Sequence, residues 1–522
     1  MSDESSLDLL KKVQSARAEL MDDARPEATG KRHAQGFLTT RERIGQLLDA
    51  DTFREFGALV QPDQSNSLNS ELLAPADGTI TGTGMVKARE ICILAQDYTV
   101  HGGSTGTIAD RKMGRLTQRA LDRGIPMVLL LEGGGHRIQD GMNAAHFAAA
   151  SPVFHNLVQL SGWVPMVAAI MGQGFAGPTA YASLADFVVM IRSVSTMGIA
   201  GPALVKAGTS KEISKEELGG VARQVDQQGI ADLAVDNETE CLQAIEKFLS
   251  YLPGNASLEP PHINCDDPVD RRDDELLELV PSNRRKVYDM RKVISTIADK
   301  GSLFELKPGY AKNMLTFFAR LNGRPVGFFA NQPKSKGGIL DTAACEKAAH
   351  FIGLCDAYGL PLVSLIDIPG LSIGPAAEDT AIGRRSGRLF FEMGIATVPR
   401  VSVVIRKGYG GGYYAMGGGR AFDADAAYAW PTAEICAMSI EGAVDVAYRK
   451  DYRAADDPEA RRQTMIDDIR NQTGALDAAS DFGLDDIIDP RHTRQLLIET
   501  FNSCPPRRQD RSPPRKRPIS PI

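Results

Sequence analysis

Short unbroken apolar runs punctuate the chain: MVLLL at 127–131, MVAAIM at 166–171, LVSLI at 362–366 and VSVVI at 401–405. Each ends in a glycine-rich stretch, and longer segments with helical spacing of apolar positions lie between them. A strand covered on both faces reads as a continuous apolar run, whereas a strand with one wet face alternates. The pattern therefore predicts an α/β architecture, with strands buried between helices. RERIGQLL (41–48) and the segment Asp341 to Tyr358 read as helices. Leu7, Leu9, Leu10 and Val13 stand at helical spacing and predict an amphipathic N-terminal helix packed on a neighbour.

The chain also repeats itself. RERIGQLLDADTFREF (41–56) matches RKVISTIADKGSLFEL (291–306), so that Ile44/Ile294, Leu47/Ile297, Asp49/Asp299 and Glu55/Glu305 coincide. GIPMVLLLEGGG (124–135) pairs with GLPLVSLIDIPG (359–370), and VPMVAAIMGQGFAG (164–177) with VPRVSVVIRKGYGG (398–411). Three matches in one order signal an internal duplication rather than two strands of similar composition. Each copy is about 230 residues long, a size one domain can hold. The reading divides the chain into an N-terminal helical extension (1–30), a first domain (31–253), a linker rich in Pro, Asp and Arg (254–287), a second domain (288–503) and a basic Pro-rich tail (504–522).

Charge narrows the function classes. The 522 residues carry 59 Lys+Arg against 66 Asp+Glu, a net charge of −7, which argues against broad nucleic-acid binding. The seven Cys show no C-x-x-C spacing, so neither a zinc ribbon nor a redox pair is expected, and dispersed thiols fit a reducing compartment. The acidic start lacks an apolar signal core, and no uncharged apolar run approaches the roughly 18 residues of a membrane helix. A cytoplasmic protein without a metal site is the expectation.

The candidate chemistry lies where strands end in glycine: Gly133-Gly134-Gly135, and Gly410-Gly411-Gly412 within RKGYGGGYY. Backbone N–H groups in such turns approach an oxygen without a Cβ in the way, and two converging donors stabilise an oxyanion. The plainer alternative is a tight turn or close helix–strand packing. No G-x-S-x-G elbow, H-E-x-x-H or G-x-x-x-x-G-K-[ST] loop offers a competing chemistry.

Longer motifs bring a resemblance. KRHAQGFLTTRERIGQLLDADTF (31–53), QDYTVHGGSTG (96–106), GGHRIQDG (134–141), YDMRKVI (288–294), ANQP (330–333), IDIPGL (366–371), RKGYGGGYYAMGG (406–418) and AWPTAEICAMSIEGAVDVAYRK (429–450) stand in one order. Together they resemble the carboxyltransferase β subunit of biotin-dependent acyl-CoA carboxylases, of propionyl-CoA/acetyl-CoA carboxylase type. The resemblance implies two tandem duplicated crotonase-like domains, assembly as a hexamer, and a site built from the N-terminal half of one protomer and the C-terminal half of another. It implies transfer of a carboxyl group from carboxybiotin to the α-carbon of an acyl-CoA, with two oxyanion holes for two carbonyl oxygens and no separate catalytic base.

By position, Gly134 and Gly135 match the acyl-CoA side, and Gly411 and Gly412 the biotin side, where Gly370, Gly410 and Tyr413 also fall. The substrate-binding set is His136, Phe175, Gly177 and Tyr414. Several of these depart from the family pattern. GGGHR (133–137) replaces the usual SGGAR, so His136 either faces the thioester or turns away to bond backbone. GQGFAGP (172–178) replaces GPCAGGA, so that Phe175, Ala176 and Pro178 enlarge or stiffen a loop beside the pocket. Tyr414 occupies a position linked to acyl-chain choice, as a pocket wall, a hydrogen-bond donor or a packed ring. Ser439 replaces a Gly.

The chain has no Ala-Met-Lys-Met biotinylation motif and no ATP-binding segment. The resemblance therefore places biotin on a partner, the biotinylated carrier with its biotin carboxylase α subunit, and leaves acyl-CoA as this chain's substrate, with no nucleic acid and no membrane. Lys112 and Arg137 are candidates for the CoA phosphates, against a solvated surface role. The tail carries Arg507, Arg508, Arg511, Arg515, Lys516 and Arg517; composition reads as a disordered basic arm, the resemblance as a docked end. Two alternatives to the carboxylase stay open: a biotin-dependent acyl-CoA decarboxylase subunit, and a non-catalytic scaffold of the same fold.

Overall fold

The structure, a computed structural model, describes residues 5–66, 74–284, 286–507 and 517–520. It forms two compact units, one reaching to Leu258 and including 517–520, the other starting at Glu259.

In the first unit, strands β1 (Arg54–Glu55), β2 (Thr79–Val86), β3 (Arg89–Gln96), β4 (Met127–Gly133), β5 (Met166–Phe175), β6 (Phe187–Ile191), β7 (Thr196–Gly198) and β8 (Leu233–Val235) make one sheet. Its order is β1-β2-β3-β4-β5-β6-β8, with β7 beside β5. The second unit repeats it with β9 (Phe304–Leu306), β10 (Met314–Leu321), β11 (Arg324–Asn331), β12 (Leu362–Ile368), β13 (Arg400–Tyr409), β14 (Ala426–Ala429), β15 (Glu434–Cys436) and β16 (Asp486–Ile487). There the order is β16-β14-β13-β12-β11-β10-β9, with β15 beside β13. In each sheet the first three strands pair antiparallel and the rest parallel. The predicted α/β duplication is thus present strand for strand. Every residue of β4 and of β12 is buried, as the apolar runs required.

The helices follow their caps. Besides α1 (Ser6–Ala18), the elements that matter here are α2 (Thr40–Leu47), α3 (Thr107–Arg123), α4 (Gly177–Ala182), α5 (Met290–Ile297), α6 (Thr342–Tyr358) and α7 (Gly410–Ala415). Thr39 and Glu42 form a reciprocal capping box at α2, and Asp341 accepts the Ala344 N–H at 3.0 Å to start α6. α3 and α6 both stop at a left-handed glycine, Gly124 at φ 60° and Gly359 at φ 76°. Leu116 and Ala120 of α3 pack with Met127 and Leu129 in the first core, and Ala344, Phe351, Ile352 and Cys355 of α6 are buried.

The coinciding Asp49 and Asp299 do the same work. Asp49 accepts the N–H groups of Lys87 and Ala88 at 3.1 and 2.8 Å, and Asp299 those of Asn322 and Gly323 at 2.9 and 2.7 Å. Each carboxylate thereby satisfies the turn of a β-hairpin, β2–β3 or β10–β11. Arg41–Glu55 and Arg291–Glu305 form equivalent ion pairs at 2.8 and 2.6 Å.

Outside the sheets, Leu276 is buried in the second core although it lies in the Pro/Asp/Arg-rich stretch. α1 forms where the apolar spacing predicts it, and its Leu7, Leu9, Leu10 and Val13 are all exposed on this chain. Arg508, Arg511, Arg515 and Lys516 of the tail lie outside the described residues. Arg507 bonds the Thr397 hydroxyl at 2.7 Å, and the Ile519 N–H bonds Ser161 Oγ at 2.9 Å. Among the described residues, no helix is long and apolar enough to cross a membrane, and no three His, Cys, Asp or Glu converge as metal ligands.

Candidate active site

Each half builds its glycine turn in the same way, beginning from a buried carboxylate one residue before the strand ends. In the first, Glu132 takes a bidentate bond from Arg32 (3.0 and 2.8 Å) and another from Arg43 (2.6 Å). Its backbone N–H reaches the Gln96 side chain at 3.0 Å. In the second, Asp367 takes Arg406 at 3.0 Å and Lys407 at 3.4 Å, and its N–H reaches the Asn331 side chain at 3.3 Å. A buried carboxylate is tolerated only with such partners, and here they fix the position from which the turn departs.

The turn itself is pinned by one residue in each half. Thr105 donates its N–H to Gly135 O at 2.8 Å and accepts from the Arg137 N–H at 2.8 Å. Leu340 repeats both bonds, to Gly370 O at 3.1 Å and from the Ser372 N–H at 2.8 Å. Behind the turn, a Cβ at Gly103 would lie 1.9 Å from Glu132 O, and one at Gly338 2.7 Å from Asp367 O, so only glycine lets these chains approach.

Against this turn lies the start of a short helix. A Cβ built on Gly135 would fall 2.9 Å from Ala176 Cβ and 3.4 Å from Gly177 N, at the beginning of α4. In the second half a Cβ on Gly412, in α7, would fall 3.2 Å from Gly370 C. The first turn of a helix leaves its N–H groups without intrahelical partners. Turn and helix start together therefore present backbone donors at the carboxyl end of the central strands.

The structure places Gly134, Gly135, His136, Phe175 and Gly177 together in the first unit, and Gly370, Gly410, Gly411, Gly412, Tyr413 and Tyr414 together in the second. His136 packs edge-on against Phe147, with ring centroids 5.6 Å apart, and its Nε2 is buried without a hydrogen-bond partner. Phe175 is buried at the end of β5, its ring over Gly198 and Gly201. Tyr413 is buried, and burial pushes its phenol up to about 12, whereas Tyr414 is 53% exposed. Ser439 caps the helix Ile440–Ala447, accepting the Gly442 N–H at 3.2 Å.

Lys112 and Arg137 are corrected. Neither is solvated and neither is placed to meet a phosphate: Lys112 is 8% and Arg137 2% exposed. Lys112 Nζ donates to Ala76 O and Thr79 O at 3.0 and 2.5 Å, and the Arg137 guanidinium pairs with Asp77. Their long side chains run inward because the left-handed pair Ala76 and Asp77, at φ 51° and 53°, turns its carbonyls and carboxylate into the core.

One pair of groups escaped the sequence reading. Tyr409, at the end of β13, donates its hydroxyl to Glu434, which is 1% exposed and paired with Arg284 at 2.6 Å. Burial holds the Glu434 carboxyl above its ordinary value. Pro178, one of the departures from the family pattern, is the second residue of α4, and the repeat identifies its counterpart as Gly412.

Comparison with known proteins identifies the family and the fold. The family model described as carboxyl transferase domain matches residues 31–519. The chain is 38% identical to the propionyl-CoA carboxylase carboxyltransferase subunit of Haloferax mediterranei, over 94% of this chain and 95% of that one. It is 36% identical to the methylmalonyl-CoA decarboxylase subunit alpha of Propionigenium modestum, over 92% of each. Among solved structures it is similar to transcarboxylase 12S, a hexamer with methylmalonyl-CoA bound, at a TM-score of 0.92 and 36% identity, over 98% of this chain and 97% of that one.

Proposed function

This chain belongs to the carboxyl transferase family, and from that premise we propose that it moves a carboxyl group from carboxybiotin, carried on a separate chain, to the α-carbon of an acyl-CoA. The observation that carries the reading is the full-length match combined with two copies of one glycine turn, each pinned at the carboxyl end of its central strands. The reaction develops charge on two carbonyl oxygens, that of the thioester and that of the biotin ureido group. Two sets of backbone donors answer that demand, and preorganised donors of this kind supply the largest single part of many rate enhancements.

In this reading Gly134, Gly135 and Gly177 serve the thioester, and Gly411 and Gly412 the ureido oxygen, with Gly370, Gly410 and Tyr413 shaping the second site. The second-half residues leave room for such a group: an added Cβ at Gly411 meets only the Leu371 methyl, at 3.5 Å. When bound, biotin supplies the nitrogen that carries the carboxyl group. The chain holds the thioester oxygen, keeps the α-carbon in reach and needs no side-chain base. The subunit works in the cytoplasm as a homo-oligomer, a hexamer, with a biotinylated carrier and its biotin carboxylase as partners.

The test uses this chain alone. Malonyl-CoA, methylmalonyl-CoA and longer homologues are incubated with it, with and without free biocytin, and the decarboxylated thioester is followed by chromatography. Loss that depends on biocytin is the expected result, and its rank order names the acyl group. Thioester loss that is equal without biocytin, or absent throughout, would overturn the assignment.

A further inference from the structure

Tyr181 lies on α4 one helical turn beyond Gly177, and a long side chain at that spacing folds back over the earlier residue. A Cβ built on Gly177 would fall 3.6 Å from Tyr181 Cε2, 3.7 Å from Tyr181 Oη and 3.6 Å from Gly135 Cα. The phenol thus borders the same opening as the first glycine turn. Thr179 holds this segment in place, accepting the Gly198 N–H at 2.7 Å and donating to Gly174 O at 2.5 Å.

The hydroxyl is the anomaly. Tyr181 is 7% exposed, and its ring is set in the first core and tilts against Phe154 with centroids 5.3 Å apart. Among the described residues, however, its Oη has no hydrogen-bond partner. A buried tyrosine ordinarily finds one, and phenylalanine would fill the same space without leaving a polar atom unpaired. Burial, with the Asp110 carboxylate nearby, pushes the phenol up to about 12, so it stays protonated and donates rather than acting as a base. The second half has no equivalent: carrying the repeat on from Gly177 and Gly411 pairs Tyr181 with Ala415.

From this we propose that Tyr181 is a catalytic residue of the acyl-CoA site, its hydroxyl donating a hydrogen bond to the thioester oxygen beside the backbone donors of the first glycine turn. The inference rests on the carboxyl-transfer reading and deepens it. Read from a 2-carboxyacyl-CoA, the bond between the α-carbon and the carboxyl group breaks and its electron pair passes to the thioester oxygen. The carboxyl group goes to biotin N1, and the N1 proton goes to the α-carbon. The phenol proton stays on Tyr181 throughout. Its hydrogen bond strengthens as the oxygen gains charge, and a contact that is stronger in the transition state than in the ground state accelerates the step. Packing in the core holds the donor ready, so little reorganisation is needed as the charge develops.

Tyr181→Phe removes the hydroxyl and keeps the ring. Because no described protein group pairs with that hydroxyl, the variant should melt no lower than wild type. Biocytin-dependent decarboxylation of methylmalonyl-CoA should lose about 100-fold in kcat with little change in KM. A fall of less than about tenfold, or a rise in KM with kcat unchanged, overturns the proposal. Infrared difference spectra of bound propionyl-CoA, isotopically labelled at its carbonyl carbon, read the contact without turnover. The carbonyl stretch should lie at higher frequency in Tyr181→Phe than in wild type, and equal stretches overturn the contact. Should Tyr181→Phe melt early, replacing Tyr181 by 3-fluorotyrosine supplies a more acidic donor; the stretch should then fall further, and an unchanged stretch overturns the contact. Wild-type turnover that Tyr181→Phe does not alter leaves carboxyl transfer standing and removes only this inference. If wild type binds propionyl-CoA but shows no biocytin-dependent loss of thioester, carboxyl transfer falls and the infrared comparison decides the contact. If no thioester binds, both fall.

Discussion

Lys112 and Lys347 stand 235 residues apart and make the same pair of bonds. Nζ of Lys112 donates to the carbonyls of Ala76 and Thr79, and Nζ of Lys347 to those of Lys307 and Tyr310, at 2.8 and 2.9 Å. Each ammonium leaves a buried position on α3 or α6 and ties down the loop before the first long strand of its sheet. The duplication is thus carried in the packing of the core as well as in the order of the strands.

Burial lowers Lys112 from 10.5 to about 8. Because the folded value lies below the unfolded one, holding the lysine charged costs stability below pH 8. Between pH 8 and 10.5 the unfolded chain binds more protons than the folded one, so stability rises with pH across that window. At about 1.36 kcal/mol per unit the gain amounts to about 3 kcal/mol. Denaturant titrations at pH 7, 8, 9 and 10, compared with Lys112→Met, isolate it; a wild-type curve parallel to that of the variant would rule it out.

Gly411→Val should leave the fold intact and lower kcat at least about 100-fold, the cost of blocking one oxyanion donor. The position admits a side chain, since an added Cβ meets only Leu371 Cδ1 at 3.5 Å. At Gly412 the same atom would lie 2.5 Å from Ile368 Cδ1, so a variant there confuses lost folding with lost catalysis. Circular dichroism and gel filtration of Gly411→Val beside its turnover check the separation, and full activity would remove the second-half hole.

The central strands were legible because a run buried on both faces leaves no polar interruption, and α2 and α6 because each carries its own cap. Lys112 and Arg137 were not. A cation whose partners are carbonyls or a carboxylate 30 to 60 positions away leaves no local trace, and charge alone reads as surface. The candidate site was half legible for a different reason. Glycine triplets draw attention to Gly133–Gly135 and Gly410–Gly412, but these are not counterparts. The first triplet corresponds to Ile368-Pro369-Gly370 and the second to Ala176-Gly177-Pro178. Only the observed register shows that turn and helix start meet in each half, and the repeat could have paired Pro178 with Gly412 had it been extended one residue further.

Ala176 sits at φ 60° and ψ −113°, a conformation that suits glycine, and its counterpart Gly410 shares the same φ. Ala176→Gly relieves about 1–3 kcal/mol of backbone strain and gives back part of it as chain entropy. A net stabilisation of about 1 kcal/mol is expected in urea unfolding. A loss of stability would show that the Ala176 methyl, packed toward Gly135, contributes more than the strain costs.

Tyr414 offers the clearest handle on acyl-chain length. Its neighbour Tyr413 is buried, with ring centroids 5.6 Å apart, and holds the base of α7, while the Tyr414 ring remains 53% exposed on this chain beside Gly411. A ring in that place limits the room beyond the second-half donors without being needed for the core. Tyr414→Ala should therefore leave thermal melting within a few degrees of wild type and shift kcat/KM for butyryl-CoA over acetyl-CoA by about tenfold, the discrimination that one or two methylenes provide in an apolar pocket. Tyr414→Phe keeps the ring and loses the hydroxyl, so it separates a wall from a hydrogen-bond donor. An unchanged ratio in Tyr414→Ala takes the residue out of specificity. A shift in both variants assigns the effect to the hydroxyl, and a shift in Tyr414→Ala alone assigns it to the ring.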